Sequence, residues 1–191
     1  MLVTSTCLGL LLGFAGPPRS ASVSGRVLLP NGAGAAMAVV SLEGSAKSQP
    51  GKDALMDQRG KQFLPHVLAV TVGTVVTFPN SDTVFHNVFA HFHAKRFDLG
   101  MYPQGSSKRQ RFDKPGLVAL FCNVHSEMSA FIMVLDTPYF AVTDKEGKFT
   151  ITGVEMGQYT AKVWHESGAV FSQRLTVDDG RESLQLKLAR K

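Results

Sequence analysis

The chain has 191 residues, 44% of them hydrophobic and 18% charged, with a net charge of +5, which is enough for one large domain or two small ones. After the N-terminus no apolar run is long enough to span a bilayer. No phosphate loop, zincin motif or recognisable serine–histidine–aspartate context occurs, so the commonest nucleotide-binding and hydrolytic classes are excluded.

Leu8 to Ala15 is a short apolar stretch rich in Leu and Gly, followed by the small residues of Arg19-Ser20-Ala21-Ser22. This order predicts an export signal over residues 1–21 and a mature protein in the periplasm or another extracytoplasmic compartment. Met1 to Cys7 carries no Lys or Arg, which departs from the usual positive start of such a segment. Cys7 would leave with the signal, and Cys122 would remain as a lone thiol. In an oxidising compartment a lone thiol is either a metal ligand or a small buried hydrophobe.

The rest of the chain reads as strands and turns throughout, with 18 Gly and 9 Pro as punctuation and no sustained helical period. Ser22 to Leu42 gives two strands around the turn Pro30-Asn31-Gly32-Ala33-Gly34, and Glu43 to Lys52 is a linker or long loop. His66 to Val72, Thr74 to Phe78, Val84 to His93, Phe112 to Cys122 and Ala130 to Leu135 are the next strands. Phe140-Ala141-Val142, the turn Asp144 to Gly147, Lys148 to Ile151, Gly157 to Trp164, Val170 to Val177 and Leu184 to Leu188 then form a small sandwich pattern.

Cys122-Asn123-Val124-His125-Ser126-Glu127-Met128 places a thiolate, an imidazole and a thioether at short regular spacing. His86 stands far upstream, followed by Asn87. Two His, one Cys and a weak axial Met make up the blue-copper electron-transfer site. Thiolate and thioether favour Cu(I) and imidazole suits both oxidation states, so the mixture limits rearrangement when an electron moves. Glu127 lies in the same loop, but a hard carboxylate suits a soft copper site less well.

From Asp57 to Asp136 the sequence resembles the cupredoxins, such as plastocyanin, azurin and amicyanin. The resemblance is carried by Phe63-Leu64-Pro65, Val72-Gly73-Thr74-Val75-Val76, Asn80-Ser81-Asp82, His86-Asn87 and the C-x-x-H-x-x-M loop, whose spacing is similar to that of amicyanin. It implies an all-β fold: a Greek-key cupredoxin β-sandwich over residues 53–136 beside a second small β-sandwich. It implies one type 1 copper per chain, with His86, Cys122 and His125 as strong equatorial ligands and Met128 as the weak axial one. Asn87 would tie the ligand loops together, and His125 would be the ligand nearest the surface. The methylamine-utilisation label attached to similar sequences implies a dehydrogenase or cytochrome as redox partner.

Ser24-Gly25-Arg26-Val27, Asn31-Gly32 and Ala38 to Leu42, together with Ala141 to Asp144, Gly147 to Ile151 and Gly157 to Thr160, resemble a carboxypeptidase-regulatory-like β-sandwich. That module would be built from residues 22–45 and 137–191, with the copper domain inserted between two of its strands. Alternatively, residues 22–45 supply the first cupredoxin strand and the C-terminal part stands alone.

Lys95, Arg96, Lys108, Arg109, Arg111 and Lys114 cluster in sequence, opposed only by Asp98 and Asp113. They form either an ordinary solvated surface or a docking face for an acidic partner or anionic membrane surface. No nucleic-acid motif is present. His91 and His93 are two apart on an expected strand and share a face. They hold a second metal or simply make that face polar. His66 reads as a satisfied, partly buried histidine, and His165 carries no assigned role. The functions left in play are a one-electron carrier that is not an enzyme, an extracytoplasmic copper-binding or delivery protein, and a partner-binding module with a degenerate site.

Overall fold

The computed structural model of the chain describes residues 20–46, 48–91, 94–178 and 182–189, and among them every regular element is a β-strand. The expected export signal up to Arg19, Cys7 and His93 lie outside the described residues. In chain order the strands are β1 (Ser20–Leu28), β2 (Val39–Glu43), β3 (Ala54–Leu55), β4 (Asp57–Gln58), β5 (Phe63–Leu64), β6 (Val67–Thr71), β7 (Val75–Pro79), β8 (Phe89–Ala90) and β9 (Phe97–Asp98). There follow β10 (Ser107–Arg111), β11 (Gly116–Phe121), β12 (Ser129–Leu135), β13 (Phe140–Val142), β14 (Lys148–Glu155), β15 (Gly157–Trp164), β16 (Val170–Val177) and β17 (Glu182–Lys187).

The two ends of the chain build one sandwich. One of its sheets has the order β14-β1-β17 and the other β13-β2-β15-β16. β1 and β2 therefore lie in opposite sheets, and the Gly-rich turn between them is part of a crossing, not of a hairpin. Strand alternation sends Val23, Val27, Phe149, Ile151, Leu42, Tyr159, Val163 and Leu186 into a common core. The β13–β14 turn is fixed by Asp144, whose Oδ1 accepts the Glu146 and Lys148 amides at 2.9 and 2.8 Å. Gly147 closes it at φ 79°, where a Cβ would lie 2.3 Å from the Val27 carbonyl oxygen. β1 begins at Ser20, and Ala21 pairs with Val154, so the described strand starts inside the stretch expected to be cleaved.

Residues 54–135 build the second sandwich from a sheet β10-β7-β3, a sheet β6-β12-β11-β8-β9 and the small pair β4-β5. Its core holds Phe63, Phe78, Phe112, Leu120 and Ile132, together with Cys122 and Met128. Each such large side chain contributes about 1.5–3 kcal/mol by leaving water. β12 explains its own sequence. Ala130, Ile132 and Val134 face this core, while Phe131, Met133 and Leu135 face outward onto Val39, Phe140 and Trp164 of the other sandwich. Both faces are covered, so the strand reads as an unbroken apolar run. The crossing at residues 136–139 is strapped by Thr137, whose hydroxyl donates to the Leu42 carbonyl at 2.7 Å.

The topology defines two ends. β11 and β12 pair from Gly116↔Val134 to Phe121↔Ser129, so residues 122–128 form the loop at one end. β7 runs toward that end and is followed by Asn80, Asp82 and His86. At the far end lie Thr74, Phe112 and Leu135.

Candidate metal centre

Three donor atoms converge at the loop end. Cys122 Sγ lies 3.8 Å from His86 Nδ1 and 3.9 Å from His125 Nδ1, and the two Nδ1 atoms are 3.0 Å apart. The point equidistant from all three is about 2.1 Å from each, within the roughly 2.0–2.3 Å of nitrogen and thiolate bonds to a first-row divalent ion. Lone pairs facing one another this closely are unfavourable unless a cation or proton lies between them. The donor set therefore fits a metal, and it is the one such group of three among the described residues. His86 is 0% exposed and Cys122 5%. His125 is half-buried and flanked by exposed Asn123 and Val124, making it the solvent-facing member.

Each converging donor is held from behind. His86 follows an irregular stretch organised by buried Asn80, whose Nδ2 donates to the carbonyls of Val84 and Tyr102 at 2.8 and 3.1 Å. His86 Nε2 lies 2.8 Å from Asp82 Oδ2. A ring N–H donated to that carboxylate leaves Nδ1 deprotonated and directed at the other two donors, which is the tautomer a ligand needs. Asp82 also accepts the Gly60 and Lys61 amides at 2.6 and 2.8 Å. Burial alone would raise its pKa, but the bonds from Lys61, His86 and Gly60 outweigh that and hold it below the ordinary carboxylate value. Asp82 is not among the site residues expected from the sequence, although an Asp four residues before a candidate ligand His, closing a turn, is a usable signal.

Asn87 accepts the Asn123 amide at 2.7 Å through Oδ1 and donates to Asp98 at 3.2 Å, so it joins the His86 segment to the loop beginning at Cys122. Met128 is 1% exposed in the same cluster as Cys122, and its amide donates to the His125 carbonyl at 3.0 Å, closing a tight turn. Glu127 is exposed and lines a hollow with His66 and Ser129.

Tyr102 supports the floor of the site. Its backbone bridges to His86, and its buried hydroxyl donates to the Phe78 carbonyl at 3.0 Å and accepts from Gln58 Nε2. Burial is the main reason its phenol is pushed up to about 12, opposed by the Gln58 bond, with Cys122 and Asp57 adding to the rise. A folded value above the ordinary value near 10 means stability that is complete below pH ~10 and falls away by about 2–3 kcal/mol as pH rises to 12. Denaturant unfolding across this range should show the loss, and Tyr102→Phe should flatten it.

The remaining expectations fall elsewhere. The strand expected over Val84 to His93 is reduced to Phe89–Ala90, so the shared strand face proposed for His91 and His93 is not formed at His91. His91 is exposed, and its carbonyl accepts from Arg96 at 2.9 Å. Lys95 and Arg111 both pair with Asp113, at 3.3 and 2.9 Å, Arg109 pairs with Asp53, and Lys108 donates to the Leu99 carbonyl. Arg111, Asp113 and exposed Lys114 sit at the end opposite the donors, where Arg111 pairs with Val75 and β11 begins. The carboxylate holding Lys95 is below the usual range, chiefly through the Lys95 bond. A hollow of about 370 Å³ lined by Val39, Met133, Leu135, Trp164 and Phe171 lies between the sandwiches, away from the donors.

The family model for polysaccharide lyase family 4, domain II, matches residues 116–184, from β11 of the inserted sandwich into β17. Among solved structures, the chain is similar to a purple cupredoxin from Nitrosopumilus maritimus, at 23% identity over 44% of this chain and 100% of that one, with a TM-score of 0.40. It is similar to the copper-containing nitrite reductase of Thermus scotoductus SA-01, at 25% identity over 50% of this chain and 25% of that one, with a TM-score of 0.43. A reduced amicyanin variant matches at 17% identity over 50% of this chain and 98% of that one, with a TM-score of 0.42. No curated protein sequence matches.

Proposed function

We propose that the protein is an exported type 1 copper protein that carries single electrons and is not itself an enzyme. The observation behind this reading is the triangle of His86 Nδ1, His125 Nδ1 and Cys122 Sγ, with buried Met128 in the same core cluster. The bound copper would supply a one-electron couple between Cu(I) and Cu(II). His86 and Cys122 hold it away from water, and Asp82 and Asn87 hold them in place. Burial and fixed ligands favour a carrier over a delivery protein, whose site must give up its metal readily.

The redox partner, a cytochrome or dehydrogenase, would approach His125. Val84, Phe85 and Val124 on the two ligand-bearing segments are all exposed, Phe85 at 56%. They offer an apolar contact at this end, while the basic residues around Arg111 and Lys114 lie at the other.

The test is the visible and electron paramagnetic resonance spectrum after one equivalent of Cu(II). An intense thiolate-to-copper band with narrow hyperfine splitting and reversible voltammetry is expected. A pale spectrum sinks the type 1 site. An intense band whose copper passes within seconds to a chelator would favour delivery.

A further inference from the structure

The two sandwiches meet through more than apolar packing. His66 stands just before β6 at the donor end of the inserted sandwich. Its Nδ1 lies 3.0 Å from the Ser129 carbonyl oxygen and its Nε2 lies 2.7 Å from Glu166 Oε2. Ser129 immediately follows Met128. Glu166 belongs to the β15–β16 turn of the other sandwich. The His66 carbonyl accepts the Phe131 amide at 2.9 Å, and the His66 ring meets the edge of Phe131, which in turn meets Trp164 of the other sandwich, at 5.6 and 5.2 Å.

Both polar partners of the His66 ring only accept, and the ring stands between them. The bond to Ser129 orients the carbonyl at the first residue of β12. The other side of Met128 is fixed by its own amide on the His125 carbonyl. Met128 is thus framed by two hydrogen bonds, and one of them is anchored in a different sandwich.

We propose that Glu166 is a positioning residue for Met128: through His66 it fixes the Ser129 carbonyl, so the outer sandwich sets the geometry of the ligand loop. The structural part stands on the contacts alone. The consequence for the copper site rests on the function proposed above.

The test uses the full chain as wild type, Glu166→Ala, Glu166→Gln and, as control, Glu43→Ala. Glu43 pairs with Lys162 at 2.6 Å within the outer sandwich and makes no bond to His66. In metal-free protein, Glu166→Ala should speed hydrogen exchange of the Met128 and Phe131 amides by about three- to tenfold, as expected for loss of one partly exposed charged bond. Glu166→Gln keeps an acceptor for His66 and should fall between, and Glu43→Ala should match wild type. In copper-loaded protein, Glu166→Ala should shift the reduction potential and the thiolate-to-copper band, and the control should not.

Unchanged exchange at Met128 and Phe131 overturns the proposal whatever the copper spectrum shows. Faster exchange with an unmoved potential and spectrum also overturns it, leaving Glu166 as a contact between sandwiches. A wild-type protein with no thiolate band is a failure of the copper reading, seen before any variant is compared, and it removes the role assigned to Met128.

Discussion

Cys122→Ala is expected to abolish the visible thiolate-to-copper band and to remove most of the stability that copper adds, while leaving the metal-free fold nearly intact. The two halves of this expectation have different physical sources. Cys122 is one heavy atom larger than alanine in a well-packed core, and its sulfur makes long, weak contacts with the two imidazole nitrogens, at 3.8 and 3.9 Å. Deleting the sulfur should therefore change metal-free stability by only about 1 kcal/mol. The sulfur is, however, the one anionic donor of the triangle. Without it two imidazoles remain of the three converging donors, and affinity should fall by more than the 10–100-fold typical of losing an outer partner. A metal held at about 1,000 times its dissociation constant adds about 4 kcal/mol to wild-type stability. Denaturant unfolding with and without Cu(II) should show that increment in wild type and little of it in the variant. An equal increment in both proteins would mean that copper binds elsewhere and that the converging donors do not form the site.

The legibility of this site in the sequence was uneven, for physical reasons. The donors Cys122, His125 and Met128 are close in the chain, and their chemical mixture is specific enough to be read before any fold is known. His86 could be placed because it carries Asn87 beside it. The stretch around His86 is another matter. Val84-Phe85-His86-Asn87-Val88 has strand-like composition, yet the Val84 carbonyl is taken by the Asn80 side chain, His86 pairs with Tyr102 in an isolated bridge, and the ladder begins only at Phe89. β-propensity measures fit to a pleated surface and cannot register that the Asn80 side chain will take the Val84 carbonyl or that His86 will pair with the Tyr102 backbone.

Pairing partners are equally hidden. Alternation in β1 predicts which of its residues face inward, but not that its neighbours will be β14 and β17, which lie more than a hundred residues along the chain. The basic run shows the converse limit of a one-dimensional reading. Lys95 and Arg111 are close in sequence and do share Asp113, but nearness along the chain says nothing about which end of a sandwich the charges reach.

Asp82 is the residue whose loss should cost most among those that touch no metal. Asp82→Ala removes the acceptor for His86 Nε2 and for two loop amides at once. Gly60 and Lys61 are exposed, so water replaces the carboxylate there at little cost. His86 is completely buried, so its ring nitrogen is left without a partner, at about 1–3 kcal/mol of metal-free stability. The larger effect is on the metal. An imidazole free to rotate or to change tautomer presents Nδ1 as a lone pair only part of the time, and copper affinity should fall about 10–100-fold. Asp82→Asn separates charge from geometry. Its amide oxygen, at the Oδ2 position, can still accept from His86 and the Lys61 amide, but its NH₂ group then faces the Gly60 amide donor, so it should recover part of the affinity and none of the anionic character. Competition titration against a chelator of known affinity would rank the three proteins as wild type, then Asn, then Ala. Equal affinities would show that His86 is held by packing alone, and that the carboxylate serves only to close the Gly60–Lys61 turn.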